Sequence, residues 1–191
     1  MPQVVIIAGP NGTGKSTAAP TLLQDALSVN QFVNADAIAA GLSVFQPEQA
    51  ALSAGRIMLK QIHTLGSQGT SFAFETTLAS RSFYPKLIQL QQQGYQFHLI
   101  FLWLRTVDIA ICRVEERVRM GGHAISKETI IRRYQTGLKN FFNLYRPISN
   151  GWRLYDNSTG NTKLIALGEN KKTTIIDVPT WDLIQENIQH V

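Results

Sequence analysis

Ala8-Gly9-Pro10-Asn11-Gly12-Thr13-Gly14-Lys15-Ser16-Thr17 follows the apolar run Val4-Val5-Ile6-Ile7 and opens a helical pattern. The stretch fits G-x-x-x-x-G-K-[ST] between a strand and a helix, the context in which that motif cradles phosphate. Gly9, Gly12 and Gly14 let the backbone take positive φ and curl its N–H groups around an anion. A helix starting near Lys15 aims its positive end at the same point. Lys15 then reaches the β- and γ-phosphates, and the Ser16 hydroxyl supplies an oxygen to Mg²⁺. The residues from Gly9 and Pro10 through Asn11, Gly12, Thr13, Gly14, Lys15, Ser16 and Thr17 are therefore the expected contacts for ATP or a related nucleoside triphosphate.

Working outward, apolar β-rich runs alternate with helical spacing. Strands are predicted over residues 3–8, 32–36, 71–77, 96–104 and 152–155, and helices over 15–27, 47–67, 82–93, 107–120 and 126–142. Leu52, Ile57, Leu59 and Ile62 mark the apolar spacing of the second helix. Segments 163–168 and 173–176 read as a hairpin, followed by a helix over 180–189. Such alternation predicts a mostly parallel sheet with helices on both faces. The expected fold is thus α/β, a three-layer α/β/α P-loop NTPase of kinase type with a helical lid and a C-terminal β-hairpin plus helix. Nothing repeats and no linker-like stretch divides the chain, so residues 1–191 are expected to form a single domain with a lid region at about 113–133.

The composition narrows the partners. The chain has 191 residues, 44% hydrophobic and 16% charged, with a formal net charge of +5. Its basic residues form no single run and no basic–aromatic stacking pattern, which argues for a small phosphorylated substrate over a nucleic acid. The N-terminal apolar run lacks a preceding basic region and is too short to span a membrane, so a soluble cytoplasmic protein is expected. The single cysteine, Cys112, excludes an internal disulfide, and its apolar helical setting predicts a small core residue. His63, His98, His123 and His190 have no zinc-type spacing.

In parallel sheets ligands bind beyond the carboxyl ends of the strands. Asp36, Glu75 and Asp156 all fall at predicted carboxyl ends, which places three acids beside the phosphate loop. Asp36 is the candidate base for an acceptor hydroxyl, with Asn34 two residues earlier on the same side of the strand. Its competing role is a helix N-cap before Ala37-Ile38-Ala39-Ala40. Glu75 either orders a Mg²⁺-bound water or hydrogen-bonds the acceptor, with Thr76 and Thr77 next to it. Arg113 and Arg117 share a helix face just before Gly121-Gly122-His123, a hinge-like sequence; Arg113 is a candidate nucleotide contact and Arg117 the candidate transition-state cation. The alternative is a solvated face paired with Glu115 and Glu116. Arg132 and Arg133 return from beyond the hinge, and one of them could complete a clamp around the substrate. His123 either contacts phosphate or caps the lid helix. Asn157, within Asp156-Asn157-Ser158, is a candidate for holding adenine or ribose.

The phosphate loop with its Pro10-Asn11, together with Asn34-Ala35-Asp36, Phe74-Glu75-Thr76-Thr77 and the Arg-rich Gly121-Gly122-His123 segment, resembles the zeta-toxin family over residues 3–158. The resemblance implies a P-loop kinase, similar in fold to chloramphenicol phosphotransferase. It implies ATP as donor, the 3′-hydroxyl of UDP-N-acetylglucosamine (a nucleotide sugar) as acceptor, and an antitoxin protein as partner. By the same resemblance Lys15 binds phosphate, Ser16 ligates Mg²⁺, Asp36 deprotonates the sugar hydroxyl, Glu75 holds the substrate and Arg117 matches one of two lid arginines. Gly-Gly-His stands where the second arginine would be sought. Two other readings remain: an ATP-binding regulatory module with little transfer, and a polynucleotide kinase suggested by the basic charge.

Overall fold

The computed structural model describes residues 1–23, 29, 31–42, 47–122, 124–169 and 172–189. His123, residues 43–46 and the last part, 24–27, of the first expected helix lie outside the described residues. The elements in chain order are β1 (Gln3–Ala8), α1 (Lys15–Leu22), β2 (Gln31–Val33), α2 (Ala35–Leu42), α3 (Pro47–Ser67), β3 (Phe72–Thr76), α4 (Tyr84–Gln92) and β4 (Gln96–Trp103). They continue with α5 (Val107–Arg119), α6 (Lys127–Asn140), a π-helical turn (Phe141–Tyr145), a 3₁₀ turn (Arg146–Ile148), β5 (Gly151–Asp156), β6 (Lys163–Glu169), β7 (Lys172–Ile175) and α7 (Val178–Gln189).

The strands form one seven-stranded sheet in the order β2-β3-β1-β4-β5-β6-β7. The first five strands pair in parallel, and β6 and β7 add antiparallel at the edge, as the C-terminal hairpin pattern predicts. β1 lies between β3 and β4, with Ala8 opposite Thr76 on one side and Phe101 on the other. That register brings the phosphate loop, the end of β3 and the end of β4 to one edge of the sheet.

β1 is buried on both faces because alternate side chains serve different layers. Val4, Ile6 and Ala8 join the main core with Phe72, Phe74, Phe97, Leu99 and Phe101, against α3, α4, the π turn and α7. Val5 meets Ala73 and Ile100 on the other face, beneath Leu22 of α1. A smaller cluster of Leu104, Ala110, Val114 and Ile130 holds α5 to α6.

Several expectations need correction. β2 ends at Val33, and the chain enters a helix at Ala35, so Asp36 does not finish a strand. The Asn34 carboxamide is the cause: its Oδ1 accepts from the amides of Asp36 at 2.7 Å and Ala37 at 3.0 Å, so Asn34 is the N-cap. In α3 the buried stripe is Ala54, Met58, Ile62 and Leu65, while Leu52 is 80% exposed and Ile57 39%. The sheet covers a narrower strip than the apolar residues offer. Cys112 is exposed rather than in the core, because its neighbours Ala110 and Val114 take the buried positions of α5.

The C-terminal edge is fixed by aromatic packing. Trp152 stacks on Trp181 at 6.1 Å and meets Phe141 edge-on at 5.9 Å, with Arg146 above its ring at 5.3 Å. Gly168 leaves room for that ring: a Cβ there would stand 2.1 Å from Trp152 Nε1. Gly168→Ala should therefore lower stability by about 1–3 kcal/mol through overpacking. Urea unfolding followed by tryptophan fluorescence measures it; an unchanged midpoint would show that the indole can move aside.

Candidate active site

The loop after β1 turns through positive φ at Gly9 (144°), Gly12 (81°) and Gly14 (77°). Gly9 is constrained by space as well as by angle, since a Cβ would sit 2.3 Å from the Leu102 carbonyl at the end of β4. A Cβ on Gly12 would meet the Ala110 carbonyl of α5 at 2.8 Å. The loop is thus wedged between β4 and α5, and α1 begins directly at Lys15.

Inside this turn the Lys15 ammonium donates to the carbonyls of Gly9 at 2.9 Å and Pro10 at 3.1 Å. Burial pushes the Lys15 pKa below its usual range, while the carboxylates of Glu75 and Asp36 oppose that shift. Arg117 and Arg133 add to the lowering, so four charged side chains act on this one ammonium. The Ser16 hydroxyl donates to Glu75, with its oxygens at 2.9 and 3.1 Å. Glu75 itself is 7% exposed. A hydroxyl beside a carboxylate forms a hard oxygen set suited to Mg²⁺ when phosphate oxygens and water complete the shell.

A cleft of about 250 Å³ opens here, lined by Asn11, Gly12, Gly14, Lys15, Ser16, Thr17, Asp36, Glu75, Arg113 and Arg117. Asp36 reaches it from the first turn of α2, exposed and free of the capping duty that Asn34 performs. Two of the three acids expected at the strand ends therefore meet the phosphate loop. Asp156 does not line the cleft; its Oδ1 accepts from the amide and hydroxyl of Ser158 and closes the turn after β5.

Two sequence candidates for nucleotide contact are engaged in holding the loop. Asn157, 7% exposed, donates through Nδ2 to the Thr13 carbonyl at 2.7 Å and accepts from Thr162 Oγ1 at 3.1 Å. Arg113 donates to the carbonyls of Asn157 at 2.9 Å, Ser158 at 2.8 Å and Gly12 at 3.4 Å. The guanidinium ties α5, the phosphate loop and the loop after β5 together. Of the paired arginines on α6, Arg132 is exposed, whereas Arg133 turns inward and donates to Asn11 Oδ1 at 3.2 Å. Gly122 packs on Arg117: its amide donates to the Arg117 carbonyl at 2.8 Å, and a Cβ would stand 2.6 Å from Arg117 Cγ.

Beyond Glu75, Thr76 Oγ1 accepts from the Leu78 amide at 3.1 Å, and the Thr76 carbonyl accepts from the Gly9 amide at 3.3 Å. Thr77 is half-buried. Sequence reading did not foresee that helix α6 would pack on this segment through Gly137 and Asn140. A glycine inside a helical pattern was the available signal, since it marks close approach. A second hollow of about 250 Å³, lined in part by Gln3, His98, Arg153 and Glu169, lies at the amino ends of β1 and β4, away from the phosphate loop.

A family model described as zeta toxin matches residues 43–161. A protein of Haemophilus influenzae described as uncharacterized is 30% identical over 132 residues, which cover 69% of this chain and 92% of that protein. Among solved structures, a chain of the AvrRxo1-ORF1:AvrRxo1-ORF2 complex superposes with a TM-score of 0.72 at 14% identity, over 96% of this chain and 63% of that one. The same complex has been solved with ATP. A chain from the PezAT chromosomal toxin–antitoxin system of Streptococcus pneumoniae gives 0.70 at 15% identity, over 100% of this chain and 80% of that one. At these identities the superpositions establish a shared α/β P-loop fold. The match of the family model over most of the chain, with the phosphate loop and acid pair in place, assigns the protein to the zeta toxin family.

Proposed function

We propose that this chain is an ATP-dependent kinase that transfers the γ-phosphoryl group to a hydroxyl of a small metabolite, with the 3′-hydroxyl of UDP-N-acetylglucosamine the first acceptor to try. The observation that carries the reading is the convergence of Lys15, Ser16, Asp36, Glu75 and Arg117 on one cleft at the phosphate loop. A module that only binds nucleotide has no need of an exposed carboxylate facing that loop.

In the proposed reaction the bond between the γ-phosphorus and its bridging oxygen breaks as a bond to the acceptor oxygen forms. The acceptor proton passes to the Asp36 carboxylate. Lys15 leaves the carbonyls of Gly9 and Pro10 for the phosphates, and Arg117 neutralises the charge that spreads over the equatorial oxygens. Arg133 adds positive charge from α6. Glu75, Thr76 and Thr77 orient the acceptor, while Asn157 and Arg113 keep the loop carbonyls turned away from the phosphates. Ser16, with Glu75 behind it, would hold Mg²⁺, which neutralises phosphate charge when bound. The reading includes one P-loop domain whose α5–α6 hairpin acts as a lid, and a cytoplasmic setting. No helix among the described residues is long and apolar enough to cross a membrane. The likeness to a chain of the PezAT toxin–antitoxin system supports an antitoxin-type protein partner.

Mass spectrometry of a nucleotide-sugar and metabolite panel incubated with ATP, Mg²⁺ and the protein tests the function. One added phosphate on UDP-N-acetylglucosamine is the expected product; phosphate on another member keeps the mechanism and changes the substrate. ATP binding with no product across the panel, or product on RNA or DNA ends only, would overturn the metabolite reading. Asp36→Asn should keep nucleotide affinity and lower kcat by about 10²–10⁴. Normal turnover in that variant would remove Asp36 from the chemistry. Asn157→Ala strips the buried Thr13 carbonyl of its donor and should weaken binding of a nonhydrolysable ATP analogue by roughly 5–100-fold in calorimetry. Unchanged affinity would mean that the loop holds its form without Asn157.

A further inference from the structure

Helix α6 carries Arg133, Gly137 and Asn140 at spacings of four and three, which puts them in one stripe along its length. The two ends of that stripe meet different parts of the site. Arg133 donates to Asn11 of the phosphate loop at 3.2 Å. Gly137 abuts the segment after Glu75 so closely that a Cβ would stand 2.3 Å from the Thr77 carbonyl. Asn140, 3% exposed, donates through Nδ2 to the Leu78 carbonyl at 2.8 Å.

Leu78 is the non-glycine residue held at positive φ, 57°, among the described residues, and its side chain is fully buried. A leucine does not choose that conformation unless its surroundings over-determine it, and such residues gather at working sites. Three donors and acceptors do so here: Asn140 on its carbonyl, Thr76 Oγ1 on its amide, and Tyr145 on the Ser80 carbonyl at 2.6 Å. Burial raises the Tyr145 pKa to about 12. Tyr145 closes the π-helical turn that directly follows α6, a deviation from α geometry often found beside functional sites.

We propose that α6 is a strut joining the donor and acceptor sides of the site, and that Asn140 is its positioning residue. Through Asn140 and Gly137 it sets the left-handed turn at Leu78 that presents Glu75, Thr76 and Thr77; through Arg133 it senses the phosphate loop. Nucleotide bound at one end therefore orders the 77–82 segment at the other. Calling that segment the acceptor side rests on the kinase reading, but the coupling itself does not.

Amide hydrogen exchange read by mass spectrometry, with and without Mg²⁺ and the nonhydrolysable analogue AMP-PNP, tests the strut without any acceptor. In the native protein, peptides covering 77–82 should exchange at least about fivefold more slowly when nucleotide is bound. Asn140→Leu should bind AMP-PNP within about twofold of the native affinity, protect the phosphate loop as before, and lose the protection at 77–82. Tyr145→Phe removes a single hydroxyl and keeps the ring, so it reports should Asn140→Leu fail to fold. It should reduce the nucleotide-linked protection at 80–82 and leave β1 unaffected. Absence of any nucleotide effect at 77–82 in the native protein, or its persistence in both variants, overturns the proposal. Failure of the metabolite panel would leave these exchange results standing, so the two readings fail separately.

Discussion

A loop that turns its N–H groups toward an anion must turn its carbonyls elsewhere, and each buried carbonyl then needs a donor. The rest of the site follows from that constraint. The Gly9 carbonyl takes Lys15, and the Pro10 carbonyl takes Lys15 together with the Thr13 amide and hydroxyl. Gly12 is reached by Arg113, Thr13 by Asn157, and Gly14 by the Ala18 amide within α1. The donors come from the loop itself, from the helix it opens, from α5 and from the turn after β5. Segments more than 140 residues apart are thereby committed to a six-residue loop.

For this reason, polar residues that look like nucleotide contacts turn out to support the loop. An arginine or asparagine near a phosphate loop can face the ligand or face the carbonyls behind it. Arg113, Asn157 and Lys15 all do the second. Asp36 shows the converse. An acid at the start of a helix often serves as the cap, yet Asn34 takes that role and leaves the carboxylate in the cleft.

The segment beyond Glu75 is organised by different physics. Glu75 is fixed by the strand and by Ser16, but the chain beyond it leaves the sheet through a left-handed leucine. Packing alone does not hold that turn; a buried carboxamide and a phenol from the α6 and π-turn region grip its carbonyls. The same helix reaches the phosphate loop through Arg133, so the geometry on the two sides is not independent.

The sequence by itself determined the layered α/β fold, the phosphate loop, the C-terminal hairpin and the strand-end acid at position 75, whereas Asp36 reaches the cleft from a helix that the strand reading missed. Each rests on local information: periodicity, glycine at turns, and the rule that parallel strands deliver their carboxyl ends to one edge. Only the tertiary structure decided which of two plausible partners each polar side chain met. It moved Asp156 out of the cleft, put Cys112 on the surface, turned Arg133 inward and Arg132 outward, and set Asn140 against Leu78. Those outcomes depend on contacts between residues distant in sequence, where one helical step separates solvent from the core. Local pattern sets what a side chain can do, and packing selects what it does.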